Sequence, residues 1–308
     1  MPGVSVIIPV YNGERFISRA VASALSQTFQ DTEIIIIDDA STDQTKQAIF
    51  DSYSVLIGKK IRYYRNERNR ERAYTRNRGC ELATGEFLFF LDADDEWDAT
   101  YIDQMTQVFQ DGQWDVVSSF QRTFIDENSQ PLRVSKKPLS ADVGEIIFSS
   151  AVGYPTATVF RRIVFPEYLD RYIPREDWEI YIRSYLNGLR IRIVDNNRIR
   201  IRSHAARTSS NVIFWDSTMR VYEDYQAKVP PQYLGRFLFH VGEVCLRFGA
   251  LRQGWQCIAR SFRIAPRLLL DKRKTGSLLK RGFRLDKHYR YRLERASFQP
   301  RGSSSHPA

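Results

Sequence analysis

Val4-Ser5-Val6-Ile7-Ile8-Pro9-Val10-Tyr11-Asn12-Gly13 opens with an apolar, mostly β-branched run and closes in turn residues. A short run of this kind, bounded by Pro9, reads as a strand buried on both faces over Val4–Ile8. Working outward, Glu14 to Gln27 sets Ile17, Val21, Ala24 and Leu25 on one helical stripe. Glu33–Ile37 is a second buried strand ending at Asp38-Asp39. Ser41-Thr42-Asp43 then offers cap chemistry for a helix reaching Leu56. Ile61–Tyr64 reads as a third strand, Ala73 to Ala83 as a helix closed by Gly85, and Phe87–Leu91 as a fourth strand ending at Asp92.

Strand and helix alternate in this way to about residue 120, which predicts an α/β fold with a mostly parallel sheet flanked by helices. Ligands of such open sheets bind beyond the carboxyl ends of the strands. The polar punctuation falls at those ends: Tyr11-Asn12, Asp38-Asp39 and Asp92-Ala93-Asp94-Asp95. Further along, Asp115–Phe120 and Thr156–Phe160 read as strands and Glu176–Leu186 as a helix. Arg190–Val194 and Arg198–Arg202 are expected to form a strand pair.

Residues 1–227 are expected to form the main domain and residues 228–308 a basic helical extension. Within the extension, Gln232 to Pro266 reads as two helices around Gly249. Gly242, Gly254, Ile258, Ser261 and Pro266 have the spacing of one tetratricopeptide-like repeat, and a plain helical hairpin fits as well. Gly302–Ala308 is expected to be disordered.

The 308 residues are 43% hydrophobic and 27% charged, a globular composition large enough for one big domain with an appendage. No run approaches the roughly 20 apolar residues of a membrane-spanning helix. Met1-Pro2-Gly3 has neither a basic start nor a cleavage site, so no secretory signal is expected and the expected location is cytoplasmic. Cys80, Cys245 and Cys257 form neither a disulfide framework nor a metal pattern. The net charge of +10 is unevenly placed: from Lys228 onward there are 18 Lys and Arg against 4 Asp and Glu, but 28 against 32 before it. The basicity therefore belongs to the extension.

Asp92-x-Asp94 at a strand end suits a divalent cation, because hard cations take oxygen ligands and Mg²⁺ commonly uses one or two carboxylates with substrate phosphates. Such an ion can neutralise charge on departing phosphates. Taken alone, the same pair could be a solvated acidic turn.

The wider set of motifs resembles the family 2 glycosyltransferases, which have the GT-A fold. It comprises the opening stretch quoted above, Ile37-Asp38-Asp39-Ala40-Ser41-Thr42-Asp43, Arg76-Asn77-Arg78-Gly79, Ala83-Thr84-Gly85-Glu86-Phe87, Leu91-Asp92-Ala93-Asp94-Asp95 and Glu176-Asp177-Trp178-Glu179. The motifs follow the family's order and spacing over about residues 4–205.

The resemblance implies an inverting, non-processive transferase that moves one sugar from a nucleotide-diphosphate donor, with Mn²⁺ or Mg²⁺ as cofactor. UDP-sugars are the expected donors, and a glycan or lipid-linked molecule in polysaccharide or envelope synthesis is the expected acceptor. Pro9 and Tyr11 would line the nucleotide pocket, Tyr11 stacking on the base, and Glu14 would help hold the nucleoside. Asp39 would accept a hydrogen bond from the base, and Arg76 would close the pocket or meet the phosphates. Asp92 would approach the ribose and metal, and Asp94 would be the principal metal ligand, with His204 nearby. Arg202 and Arg207 are further candidates for phosphate. Asp177 is the expected catalytic base, taking the acceptor hydroxyl's proton as it attacks. Glu176 and Glu179 stand next in line, and Trp178 either stacks on a sugar or packs in the core. Asp38 and Asp39 could instead cap a helix, and Tyr11 could be core.

Glu71 departs from the family, which often has glycine in the loop before the Arg-Asn motif; that puts the loop's shape in question. No processive-synthase Gln-x-x-Arg-Trp motif occurs. A sugar nucleotidyltransferase would show a glycine-rich phosphate loop after the first strand, and none is present. A non-catalytic nucleotide-sugar-binding or scaffold protein is the other alternative, disfavoured by the presence of Asp94 and Asp177. The extension shows no nucleic-acid-binding module, so no nucleic acid partner is expected. Lys272-Arg273-Lys274 and Lys280-Arg281 with Leu268–Leu270, Leu278 and Phe283 suit peripheral contact with an anionic membrane at its inner face, or a solvated tail.

Overall fold

A computed structural model describes residues 3–135, 138–203, 211–271, 274–276 and 278. The chain divides into two compact units, residues 1–233 and 234–308.

Seven strands form the main sheet of the first unit. They are β1 (Val4–Val10), β2 (Thr32–Asp38), β3 (Ile61–Arg65), β4 (Phe87–Phe90), β6 (Val116–Ser119), β9 (Thr158–Arg161) and β10 (Ile191–Val194), in the order β10-β6-β9-β4-β1-β2-β3. β1 runs parallel to both β2 and β4, and β2 parallel to β3. β9 alone is antiparallel to its neighbours β4 and β6. A smaller sheet has the order β5-β11-β7-β8, from β5 (Glu96–Trp97), β7 (Thr123–Ile125), β8 (Pro131–Val134) and β11 (Ile199–Arg202). The expected pairing of Arg190–Val194 with Arg198–Arg202 is therefore wrong: β10 pairs with β6 and β11 with β5 and β7. Two short segments that alternate arginine with isoleucine do not encode which sheet each will join.

Every residue of β1 except Pro9 is buried, and so is all of β2, as continuous apolar runs require when helices cover both faces. Pro9 interrupts β1 without breaking the ladder. The Ile7 carbonyl accepts from the Leu91 amide and the Val10 carbonyl from the Asp39 amide. Pro9 thus faces the β4 side just beyond that strand's end, where its missing N–H is not needed.

The helices of this unit are α1 (Ile17–Leu25), α2 (Thr45–Tyr53), α3 (Glu71–Leu82), α4 (Tyr101–Gln110), α5 (Val143–Phe148), α6 (Glu176–Leu186) and α7 (Val212–Tyr225). The stripe foreseen for α1 is the buried one, with Ile17, Val21 and Ala24 inward. α3 lies tight on the sheet: a Cβ at Gly79 would come within 2.5 Å of an Ile7 methyl, so only glycine allows this approach.

The second unit is a helical hairpin of α8 (Pro231–Arg247) and α9 (Leu251–Ile264), turning at Gly249, whose φ is +84°. The boundary between the units falls at the start of α8. A Cβ at Gly242 would meet Ile258 at 2.8 Å and one at Gly254 would meet Leu246 at 2.8 Å. These glycines mark close helix crossing, and Phe239, Leu246, Ile258 and Leu268 fill the small core. No helix among the described residues is long and apolar enough to cross a membrane. The stretch 302–308 lies outside the described residues.

Candidate active site

From β1 the chain moves to β2 and β3 on one side and then returns to β4 on the other. The order reverses between β1 and β4, the place where open α/β sheets bind ligands beyond their carboxyl ends. Tyr11 follows β1 there and is 51% exposed, which excludes the core alternative and leaves its ring available. Pro9 is half-buried beside it.

The loops after β1 and β2 are stitched together. The Asn12 side-chain carbonyl accepts from the Thr42 amide at 2.8 Å, and the Gly13 amide donates to Thr45 Oγ1 at 2.8 Å. Asn12 and Ala40 both take the left-handed conformation that this turn demands. Glu14 is exposed; its carboxylate accepts the Gln44 amide at 2.8 Å, just before α2. Asp38 and Asp39 separate into two roles. Asp38, fully buried, accepts from the Ser41 amide at 2.7 Å and the Tyr63 hydroxyl at 2.6 Å, so it shapes the loop. Asp39 Oδ1 accepts from Asn66 Nδ2 at 2.6 Å and from the Arg70 amide at 2.9 Å, which fixes the carboxylate at the mouth of the β3–α3 loop. Asn66 carries no motif signal, and its part was missed in the sequence.

That loop enters α3 through Glu71, which has φ +66°. A residue with a side chain therefore sits here on a left-handed backbone, at the cost of strain. Glu71→Gly is expected to raise stability by roughly 0.5–1 kcal/mol, the strain relieved less the entropy glycine adds. A urea melt would show this as a higher midpoint at unchanged slope; a lower midpoint would mean that the Glu71 side chain stabilises the loop.

Arg76, one turn and a half into α3, is 3% exposed and reaches three carboxylates from two other elements. Its guanidinium donates to Asp92 Oδ1 at 2.9 Å, Glu176 Oε1 at 3.1 Å and Asp177 Oδ1 at 3.4 Å, and lies 5.3 Å from the Tyr168 ring centroid. The next residue, Asn77, clamps the Tyr168 backbone by two 2.8 Å hydrogen bonds. Burial works against the charge on Arg76, yet Asp92 and Asp177, with Tyr168 and Glu176, together outweigh it and hold its pKa well above the usual value. Of the two roles expected of Arg76, contact with the phosphates is corrected: the side chain is enclosed, both terminal nitrogens are taken by carboxylates while Nε has no hydrogen-bond partner, and it acts as the post on which the carboxylates hang.

The acidic motif after β4 divides by direction. Asp95 is buried, accepting from Thr156 Oγ1 at 2.7 Å and the Arg202 amide at 2.9 Å. Burial, then the Asp94 and Asp92 charges, push its pKa well up. Asp92 and Asp94 stay half-buried at the sheet edge. The Asp92 amide donates to Thr156 Oγ1 at 3.2 Å, so Thr156, read from sequence only as the start of a strand, braces the motif. Arg202 is also corrected. Its side chain is fully buried, binding the Asp94 carbonyl at 2.9 Å and the Glu96 carboxylate, with Phe16 beneath it, and it has no access to phosphate. Among the described residues no three His, Cys, Asp or Glu side chains gather into a metal cage. His204 and Arg207 lie outside the described residues.

At the start of α6, Glu176 is fully buried and paired with Arg76, with Arg72 Nε 3.9 Å away; its second oxygen has no hydrogen-bond partner. Asp177 is the more open of the two, with 22% of its side chain exposed. Burial first, then the Glu176 charge, raise the Asp177 pKa well above the carboxylate range, and Arg76 offsets only part of this. Glu179 is removed from candidacy as a base: it is fully buried, tied to Arg183 at 2.8 Å and to the Tyr225 hydroxyl. Trp178 is core, 1% exposed, its indole N–H on the Ile147 carbonyl at 2.8 Å.

Comparison with known proteins bears on the family and the fold. A family model described as glycosyl transferase family 2 matches residues 5–169. The UDP-Glc:alpha-D-GlcNAc-diphosphoundecaprenol beta-1,3-glucosyltransferase WfaP of Escherichia coli is 29% identical over 212 residues, 68% of this chain and 80% of that protein. The amylovoran biosynthesis glycosyltransferase AmsB of Erwinia amylovora is 31% identical over 192 residues, 58% of this chain and 63% of AmsB. Among solved structures, S. aureus TarS 1-349 in complex with UDP-GlcNAc superposes with TM-score 0.63 at 20% identity, covering 94% of this chain and 93% of that one. The mannosyltransferase PcManGT from Pyrobaculum calidifontis, in complex with GDP-Man and Mn²⁺, gives 0.59 at 18%, covering 92% and 82%. The two structural likenesses carry the fold, which is GT-A.

Proposed function

Because the chain belongs to glycosyl transferase family 2, we propose that it moves one sugar, with inversion, from a UDP-sugar to a hydroxyl of a lipid-linked glycan acceptor. The observation that carries this reading is the Arg76 junction. It brings Asp92, from the acidic motif, and Asp177, from a helix 85 residues later in sequence, onto one guanidinium at the switch point of the sheet. A donor held at one carboxylate and an acceptor activated at the other is the arrangement that single displacement requires.

Tyr11 stacks on the base and Asp39, oriented by Asn66 and Arg70, accepts its imide N–H. Asp92 and Asp94 are hard oxygen donors one residue apart and half-buried, which fits Mg²⁺ or Mn²⁺; the PcManGT complex holds Mn²⁺. An ion held there would neutralise charge on the departing diphosphate. Asp177 takes the acceptor hydroxyl's proton as that oxygen bonds to the anomeric carbon and the bond to the diphosphate breaks on the opposite face. The lipid-linked acceptor is supported by the name of the WfaP relative, which acts on a diphosphoundecaprenol-linked sugar.

The test is donor binding and turnover across a panel of UDP-, GDP- and dTDP-sugars with Mn²⁺, Mg²⁺ or chelator. One UDP-sugar is expected to bind metal-dependently and to turn over only with a polyprenyl-diphosphate-linked sugar present. Asp94→Asn is expected to weaken metal-dependent donor binding at least about tenfold. Equal donor binding by the variant and the wild type, with and without chelator, would remove the metal assignment.

A further inference from the structure

We propose that the outer face of α9, with the turn that follows it, seats the second unit on an anionic phospholipid surface. The hairpin's packing fixes which face is outward: Gly254, Cys257, Ile258 and Ser261 are buried, so Arg252, Gln256, Ala259 and Arg263 succeed one another at helical spacing on the opposite, exposed side. Trp255 flanks this row at 43% exposure, and Ile264 at 41%. The chain then turns through Pro266–Leu270, where Arg267 is exposed and Leu269 and Leu270 are 52% and 82% exposed.

Two features point to lipid headgroups as the occupant. The first is charge: no Asp or Glu occurs between Glu243 and Asp271, while five Lys and Arg follow within 272–281. The second is composition. Arginines on a helix face, an indole at its border and two adjacent leucines held out in water are what an interfacial element combines; a solvated basic face has no use for the last two. The structure also revises which apolar residues are available. Leu268 is buried in the hairpin core and Leu278 packs against that core, so neither can insert into a bilayer; Leu269 and Leu270 can. Lys272, Arg273, Lys280, Arg281 and Phe283 lie outside the described residues and enter only as sequence.

The inference does not rest on the proposed transfer reaction, and its test uses neither donor nor acceptor. Full-length protein is sedimented with vesicles of pure phosphatidylcholine and of phosphatidylcholine with 30% phosphatidylglycerol. Wild type is expected to co-sediment with the anionic vesicles and to be released by salt. Arg263→Glu/Arg267→Glu is expected to lower partitioning roughly tenfold or more, and Leu269→Ser/Leu270→Ser to lower it at low and high salt alike. Circular dichroism and a melting curve matching wild type are expected of both variants, whose positions are exposed, and check that they fold. Three results would each overturn the proposal: wild type left in the supernatant, equal binding to neutral vesicles, or both variants partitioning like wild type.

Discussion

Asp177→Asn should reduce turnover by about 10²–10⁴-fold while leaving donor affinity within a factor of two. Asparagine keeps the shape and can stay beside Arg76, but it cannot take a proton from an attacking hydroxyl. The wild-type pH profile should carry the same signature. Because burial and Glu176 raise the Asp177 pKa, its active, unprotonated form is lost at a higher pH than for an ordinary aspartate. The acid limb of kcat/KM should therefore lie well above the ordinary value of about 3.9, and the residual activity of the variant should lack that limb. Stability should move the opposite way to activity. A carboxyl whose folded pKa lies above its unfolded value costs stability once pH rises past the unfolded value, and the cost is fully present above the folded one. At neutral pH the neutral asparagine should thus melt at or above wild type. Normal turnover would refute the assignment of the base; a lower melting point would mark Asp177 as structural.

The parts of the fold that sequence made legible are those in which one local pattern has one structural reading. β1 and β2 are continuous β-branched runs, and α6 spans the predicted Glu176–Leu186. The aspartates fall at strand ends, where the buried apolar runs stop. Partner choice is less legible. Nothing in Thr158–Arg161 says that it will run antiparallel between β4 and β6, or in Ile199–Arg202 that it will leave for the smaller sheet. At the site, residue type announced the carboxylates but not their partners. Asn66 and Thr156 are ordinary polar residues whose value lies in whom they touch. The family motif implied that Arg76 closes the pocket or meets the phosphates, and Arg202 was a further phosphate candidate; burial, with carboxylate and carbonyl partners, turns both away from phosphate. Glu71 is the instructive case: it stands where the family often has glycine, and its backbone takes the left-handed turn that glycine adopts most readily.

Arg76→Met should cost about 3–5 kcal/mol of stability and abolish transfer, for two separable reasons. Glu176 has no exposure at all and Arg76 is its hydrogen-bonded counter-charge, so removing the guanidinium strands a buried carboxylate. That penalty belongs to the leftover charge more than to any strength of the pair, so Arg76→Met/Glu176→Gln should recover most of the lost stability. Activity should not return with it. Asp92 and Asp177 come from different elements and, among the described residues, are held in common through Arg76, at 2.9 and 3.4 Å. In the double variant each is free to take its own rotamer, and a misplaced group far smaller than a side chain's length costs about 10²-fold in rate. Arg76→Lys separates charge from shape: one ammonium can sustain part of the stability but cannot bridge three carboxylates as a planar fork does. Urea melts and kcat measured on the same three variants would decide the matter. Recovery of both stability and turnover in the double variant would mean that Arg76 only fills space and balances charge, and that the two carboxylates find their places without it.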